Sequence, residues 1–250
     1  MGRITETVKV LLIINVIFFI GSLSLGDKAY EWFALWFPKN ENFQVWQIVT
    51  HMFMHGGAGH IFFNMFALYM FGSHLETSIG KHKFLFIYFF SGLGAVGFQI
   101  LFTYFQFNPG YQAYIEAGFS PAEINTFIKD AVTTGQFRVY PNISQEVTEK
   151  MIGAFVTPMV GASGAIFGIL AAFAVLFPNL PLYLIFIPIP IKAKYLIGGY
   201  FLLDLYSGIT GQAILGPSNV AHWAHIGGAV IGFITMWYWK KNSFNQHRWY

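Results

Sequence analysis

One serine and a handful of histidines stand out against a background of apolar sequence. Ser163 lies in Gly161-Ala162-Ser163-Gly164-Ala165-Ile166-Phe167-Gly168, and His225 lies in Ala221-His222-Trp223-Ala224-His225-Ile226-Gly227-Gly228-Ala229-Val230-Ile231-Gly232. A serine hydroxyl becomes a competent nucleophile when a base takes its proton, and imidazole is a common base. A third stretch runs from His51 through His55 and His60 to Asn64. His60 and Asn64 are four apart, so they share one helix face. With the Ser163 backbone N–H they would supply donors for a developing oxyanion. Together the three stretches point to acyl-transfer chemistry.

Each stretch also has a plainer reading. Gly164 and Gly168 form a GxxxG pair, so Ser163 could be one more small residue between close helices. His225, Gly228 and Gly232 fall at i, i+3 and i+7 on one face without bulk, where a histidine is often structural. His51, His55 and His60 could bind zinc. There is no HExxH, however, and the nearest acid, Glu76, should lie at the far end of its helix. They could also be polar glue between helices. No strand precedes Ser163, so the soluble nucleophile elbow is not met.

These residues must be positioned by helices in lipid. Charged residues make up 10% of the 250 and hydrophobic ones 55%, with 29 Phe and a mean hydropathy of +0.53. An average soluble domain carries about 25% charged residues. The composition excludes disorder, a coiled coil and an ordinary soluble enzyme. With no Cys, there is no disulfide framework, thiolate metal site or cysteine nucleophile. The expectation is one all-α membrane domain over residues 1–250.

Six apolar stretches approach the roughly 20 helical residues that cross a ~30 Å hydrocarbon core. They run about 10–25, 60–75 and 84–105, then within 153–176, then about 195–209 and 220–239. The first is not read as a cleaved signal, because no convincing small-x-small site follows it. Nine basic residues (Arg3, Lys9, Lys81, Lys83, Lys192, Lys194, Lys240, Lys241 and Arg248) fall on one side with only Glu6 and Glu76, a net of +7. The other side nets −3. This bias places both termini in the cytoplasm and explains the basic pI without nucleic acid. Spans two and six then start on the outer side, and Ser163 lies near the outer start of span four. All the named groups share a depth just below the outer surface.

The outer segment 106–152 is the only sizeable polar stretch. Within it Ser120-Pro121-Ala122-Glu123 reads as a capping box with Pro at the first helical position. A helix over about 121–133 is expected, stopped near Gly135.

At these residues the chain resembles the rhomboid intramembrane serine proteases. The family's GxSG motif is met by Gly161-Ala162-Ser163-Gly164, its HxxxN motif by His60 to Asn64, and its AHxxGxxxG-type motif by Ala224 to Gly232. The resemblance covers roughly residues 5 to 240 and implies the bacterial six-span bundle. It implies Ser163 as nucleophile and His225 as general base, a dyad with no Asp. It also implies an oxyanion hole of His60, Asn64 and the Ser163 N–H, with Gly161, Gly164, Gly228 and His222 in support. Tyr206 falls on the span the family uses as a lateral gate. Neither metal nor organic cofactor is implied. The partners are transmembrane protein substrates and the bilayer, the location a bacterial cytoplasmic membrane, and the site opens outward.

Two features depart from the pattern. Trp46-Gln47 stands where the family often has Trp-Arg, which leaves the hydrogen bonding of the first outer loop open. The long outer segment is expected to cap the site or guide substrate. Asp204 is the one acid inside a span, and the resemblance gives it a structural role. The competing functions are a substrate-binding relative without proteolysis and a proton or ion transporter using the histidines and Asp204.

Overall fold

The computed structural model describes residues 3–184, 187–214 and 220–245. Arg248, counted above with the cytoplasmic charges, lies outside them. The chain is mostly helical: α1 (Glu6–Leu25), α2 (Asp27–Phe33), α3 (Gln47–Thr50), α4 (Ala58–Ala67), α5 (Ser73–Ile79), α6 (Lys81–Glu116), α7 (Pro121–Thr134), α8 (Gln145–Val156), α9 (Ser163–Leu176), α10 (Ala193–Thr210) and α11 (His222–Asn245). A π-helical turn, Leu68–Gly72, joins α4 and α5 into one rod.

Each of the six apolar stretches contains helix, and one boundary moves. The fourth helix, Ser163–Leu176, lies within its expected stretch. Thr157-Pro158 separates α8 from this helix, since a residue before proline is pushed out of the α region. Between them Met159 pairs with Leu35 through N–H to O=C bonds of 2.9 and 2.8 Å. The third helix runs on past Pro109 to Glu116, for 36 residues. At 1.5 Å per residue that is about 54 Å, well beyond a hydrocarbon core. Its outer end is held by α8: Gly110 lies so close to Met151 and the Val147 carbonyl that a β-carbon would meet them at 2.6 and 2.8 Å. Phe107 and Tyr114 join Ile124, Ile128, Met151 and Phe155 in a separate small core there.

α7 has the expected start and stop. Ser120 and Glu123 form both halves of the capping box, and Gly135 ends the helix at φ 69°. Hydrogen bonds from the Ser120 backbone N–H and hydroxyl hold the Glu123 carboxyl below the usual carboxylate range. An antiparallel hairpin of β1 (Pro181–Leu184) and β2 (Ile187–Lys192) links α9 to α10. This hairpin departs from the all-α expectation.

By length and composition, α1 and α6 are long and apolar enough to cross a membrane. α9 is apolar but has 14 residues. α1 turns Val10, Ile13, Ile17 and Ile20 outward, a stripe that water would penalise.

α9 is the centre of the bundle, buried on every face from Gly164 to Phe173. It is clasped by α6 on one side and α11 on the other. A β-carbon on Gly164 would lie 2.4 Å from Ala95 of α6, and one on Gly168 would lie 2.0 Å from the Ser91 hydroxyl. On the other side, β-carbons on Gly228 and Gly232 would meet the carbonyls of Gly164 and Gly168 at 1.9 and 2.2 Å. Backbone touches backbone here, and only glycine permits it. Both ends are tied. The Glu76 carboxylate accepts from the Thr5 hydroxyl and the Val8 N–H, placing the end of α5 beside the start of α1. Lys240 donates to the Val175 carbonyl at the C-terminal end of α9 (2.7 Å), where a cation is favoured.

The loop between α2 and α3 is organised by Gln47, which is fully buried. Its Oε1 accepts from the N–H groups of Gln44 (3.0 Å) and Trp36 (3.4 Å). Its Nε2 donates to the carbonyls of Glu31 (2.9 Å) and Asn42 (2.8 Å). One amide therefore supplies both donors and acceptors, which a guanidinium cannot do. Gln47→Ala should lower the melting temperature in detergent, because each backbone group left buried without a partner costs about 1–3 kcal/mol. An unchanged melting curve would remove Gln47 from this role.

Candidate active site

Ser163 is the first residue of α9, after Ala162 at the cap position. Its N–H therefore has no acceptor one turn back in the helix, and it belongs to the positive end of the helix dipole. Its Oγ lies 2.8 Å from His225 Nε2. His225 sits in the first turn of α11, fixed by the glycine contacts one turn further on. Phe167, one turn along α9 from Ser163, stacks on the His225 ring at 4.2 Å and 12°. The i, i+4 spacing from Ser163 is readable in the sequence, but the residue type alone assigns Phe167 no role there.

The other ring nitrogen of His225 faces α10. Nδ1 lies 3.0 Å from Asp204 Oδ2. The second carboxylate oxygen, Oδ1, lies 2.6 Å from His222 Nδ1. Both histidines donate from Nδ1, which leaves His225 Nε2 as the acceptor for the Ser163 hydroxyl. His222 therefore touches Asp204 rather than Ser163. The histidine beside Ser163 thus carries a carboxylate against its other ring nitrogen.

The third stretch also reaches the serine. A β-carbon on Gly161 would lie 2.8 Å from His60 Nε2 and 3.5 Å from Ser163 Oγ. Gly161 has φ 127°, which disfavours any side chain, and its N–H donates to the His51 carbonyl at 2.9 Å. His60 Nδ1 accepts from the Gly56 N–H (3.3 Å). The His60 proton is therefore on Nε2, the nitrogen beside Gly161. Asn64, on the same face of α4, is buried with its Nδ2 unpaired. An orphan donor of this kind is costly unless something binds it.

His51 and His55 have other roles. His51 Nδ1 donates to the Gln47 carbonyl at 2.8 Å, and burial pushes its pKa down to about 4. Burial likewise holds His55 at about 4, with its ring 5.1 Å from that of His60. Among the described residues, the cluster whose ligand atoms could hold a metal is Asp204, His222 and His225, within 4.8 Å of one another. Their Nδ1 atoms and both carboxylate oxygens are already engaged in the hydrogen bonds above.

Ser163, His225, Asp204, His60, Asn64 and Gly161 line one cavity of about 1690 Å³. Its walls include His60, Phe63, Asn64 and Ala67 of α4 and Leu196, Gly199, Tyr200 and Leu203 of α10. α10 leans on α9 and α11, and the cavity runs between it and α4. Tyr206, expected at a gate, is half-exposed and does not line this cavity. Tyr200, which packs on Phe167 with ring centres 5.1 Å apart, does.

Apolar side chains turned outward around a cavity that holds a serine against a histidine mark a helical membrane protein with a candidate serine–histidine site. The chain belongs to the rhomboid family, whose domain model matches residues 42–242. That family consists of integral membrane proteins that are generally intramembrane serine proteases. Among its relatives, RHOMBOID-like protein 12, mitochondrial, of Arabidopsis thaliana is 30% identical over 201 residues, 79% of this chain and 47% of that protein. Rhomboid protein 1, mitochondrial, of Saccharomyces cerevisiae is 26% identical over 196 residues, 78% of this chain and 42% of that protein. Rhomboid protease AarA of Providencia stuartii is 30% identical over 192 residues, 75% and 53% respectively. The chain spans about half the length of these relatives.

Proposed function

We propose that the protein is an intramembrane serine endopeptidase acting on transmembrane segments of other membrane proteins. The observation that carries this is the 2.8 Å hydrogen bond between Ser163 Oγ and His225 Nε2 inside a cavity large enough for a peptide strand. Ser163 Oγ attacks the scissile carbonyl while His225 Nε2 takes its proton. The oxygen that becomes negative is met by His60 Nε2–H, Asn64 Nδ2–H and the Ser163 N–H at the positive end of α9. His225 then gives the proton to the leaving amine. Water hydrolyses the acyl-enzyme by the same path in reverse. A substrate helix must unwind at the cut, because its carbonyl is otherwise hydrogen-bonded four residues on.

The reading includes six spans with both termini cytoplasmic and the site opening outward. The rods that would cross are α1, α4 with α5, α6, α9, α10 and α11. Substrate would enter sideways between α4 and α10, past Phe63 and Tyr200. The proposed location is a bacterial cytoplasmic membrane. The relatives do not favour it over an organelle, since two carry mitochondrial in their names and one is bacterial.

The test is incubation of the detergent-purified chain with a panel of single-span reporter proteins, with products read by mass spectrometry. Cuts in or beside the span are expected. No cut in any reporter, together with no labelling by a serine-directed phosphonate, would sink the reading. Within it, Asn64→Ala should lower kcat by roughly 10- to 1000-fold, since loss of one oxyanion donor costs up to that much. KM should be little changed, because the donor acts on the transition state. A kcat equal to wild type would take Asn64 out of the oxyanion hole.

A further inference from the structure

A second cavity, of about 910 Å³, lies between α9, α10 and α11. Phe167 and Tyr200 line both this cavity and the one that holds Ser163. Small residues leave the space: Ala171 and Ala174 of α9, Gly198 of α10 and Ala229 of α11. Half-exposed Phe233 and Trp237 of α11 form its lip. Its charge is all at one end. Lys194 at the start of α10 and Lys240 and Lys241 near the end of α11 line it, and among the described residues no acid does. Lys240 is engaged with the Val175 carbonyl. Lys194 and Lys241 are exposed. Their ammonium groups lie 5.0 Å from the Tyr195 ring and 5.2 Å from the Trp237 ring. Each ammonium has three donors, so a contact with a ring face leaves donors for an anion.

We propose that this groove seats one anionic phospholipid, with an acyl chain between α9, α10 and α11 and its phosphate between Lys194 and Lys241. Length selects this occupant. From Ala229 to Lys241, α11 climbs about 18 Å at 1.5 Å per residue. One leaflet of a ~30 Å hydrocarbon core is about 15 Å deep. The groove therefore matches a tail from one leaflet, with the cations at headgroup depth. A transmembrane helix, from another protein or a second copy, would need a face as long as the whole core. Charge selects the headgroup. Basic pockets between membrane helices on the cytoplasmic side favour anionic lipids, and each lysine near the surface is worth about fivefold in affinity. In the proposed orientation this end is cytoplasmic. Trp237 at the same end suits the interface, where its ring is anchored between chain and headgroup. The inference rests on the membrane placement given under the proposed function and not on the chemistry of Ser163.

The experiment is native mass spectrometry of the full chain in a mild nonionic detergent, titrated with phosphatidylglycerol or with phosphatidylcholine. Wild type should take up one phosphatidylglycerol per chain, with a Kd roughly 10-fold or more below that for phosphatidylcholine. Equal affinity for the two lipids, within about threefold, would overturn the inference. The double variant Lys194→Gln/Lys241→Gln should weaken phosphatidylglycerol roughly 10- to 30-fold and leave phosphatidylcholine unchanged. Gly198→Phe tests the groove with both lysines in place. A β-carbon on Gly198 meets nothing within 4 Å, so the added ring enters the cavity and takes the space of the chain. It should weaken phosphatidylglycerol by roughly 10-fold or more, since several buried CH₂ groups lose their seat. Either variant, shown to be folded by its melting curve, that keeps phosphatidylglycerol within about threefold of wild type would overturn the inference. If Gly198→Phe does not fold, the lysine variant, altered only at exposed positions, decides alone. Glycerol phosphate, the headgroup without chains, should not displace the lipid. Displacement would mean that the lysines hold a phosphate without the groove, and would also overturn it. Reporter cleavage by a chain with no lipid preference sinks this inference alone, and lipid selectivity in a chain that cleaves nothing sinks only the protease reading.

Discussion

Ser163→Ala should abolish covalent labelling by a fluorophosphonate, and His225→Ala should slow it by on the order of 10,000-fold or more. The two effects should not add, because Oγ and Nε2 act on one proton. With His225 gone, the hydroxyl has no acceptor at 2.8 Å and Ser163 is an ordinary alcohol. With Ser163 gone, the base has nothing to activate. The double variant should therefore be no slower than the worse single one. Melting temperatures should stay near wild type for Ser163→Ala, since the loss is one small polar group at a cavity wall. A wild type that labels as slowly as His225→Ala would mean the pair is not a catalytic unit. The protein would then be better read as a binding relative of the proteases. Flux of protons into liposomes without proteolysis would instead favour the transport reading.

Gly228→Ala should also slow labelling strongly, although Gly228 makes no contact with substrate in this scheme. The added β-carbon would lie 1.9 Å from the Gly164 carbonyl oxygen. Real β-carbons essentially never approach other atoms closer than 3.0 Å. α11 must therefore move away from α9 by about 1 Å, and the neighbour that blocks it is backbone, not a side chain that can swing aside. His225 is one turn before Gly228 and Ser163 is next to Gly164, so the same movement opens the 2.8 Å hydrogen bond. A misplacement of about 1 Å in a catalytic pair costs on the order of 100-fold. The overpacking itself should cost about 1–3 kcal/mol of stability. The control is Gly21→Ala on α1, where a β-carbon meets nothing within 4 Å. It should leave both rate and melting temperature unchanged. If Gly228→Ala labels at the wild-type rate, the glycine contact is not what sets the Ser163–His225 distance.

Much of this site could be read from residue types and local spacing. Ser163 beside Gly164 and Gly168, His225 with Gly228 and Gly232, and His60 with Asn64 are each one helix face. The geometry of a helix fixes which residues share a face. Bare glycine faces can only be satisfied by close backbone approach, so their pairing was also legible. The cap at Ser120 and the stop at Gly135 were legible for the same reason, being contained within a few residues. The residue pattern left the partners across helices undecided. Asp204 is 21 residues before His225 and on another rod, and its reach depends on how α10 is turned and tilted against α11. No repeat within α10 encodes that rotation. Gln47 looked like a lost guanidinium, yet an amide that both donates and accepts fits the four backbone groups that the folded loop brings around it. Tyr206 fell on the expected helix, but the rotation of α10 brings Tyr200 to the cavity instead. The length of α6 was set by α8 packing against Gly110, a contact between segments some forty residues apart. What lay within one or two turns was written in the sequence. What depended on one rigid helix meeting another was decided by the tertiary packing, because that orientation is the joint solution of every interface in the bundle and belongs to no single segment.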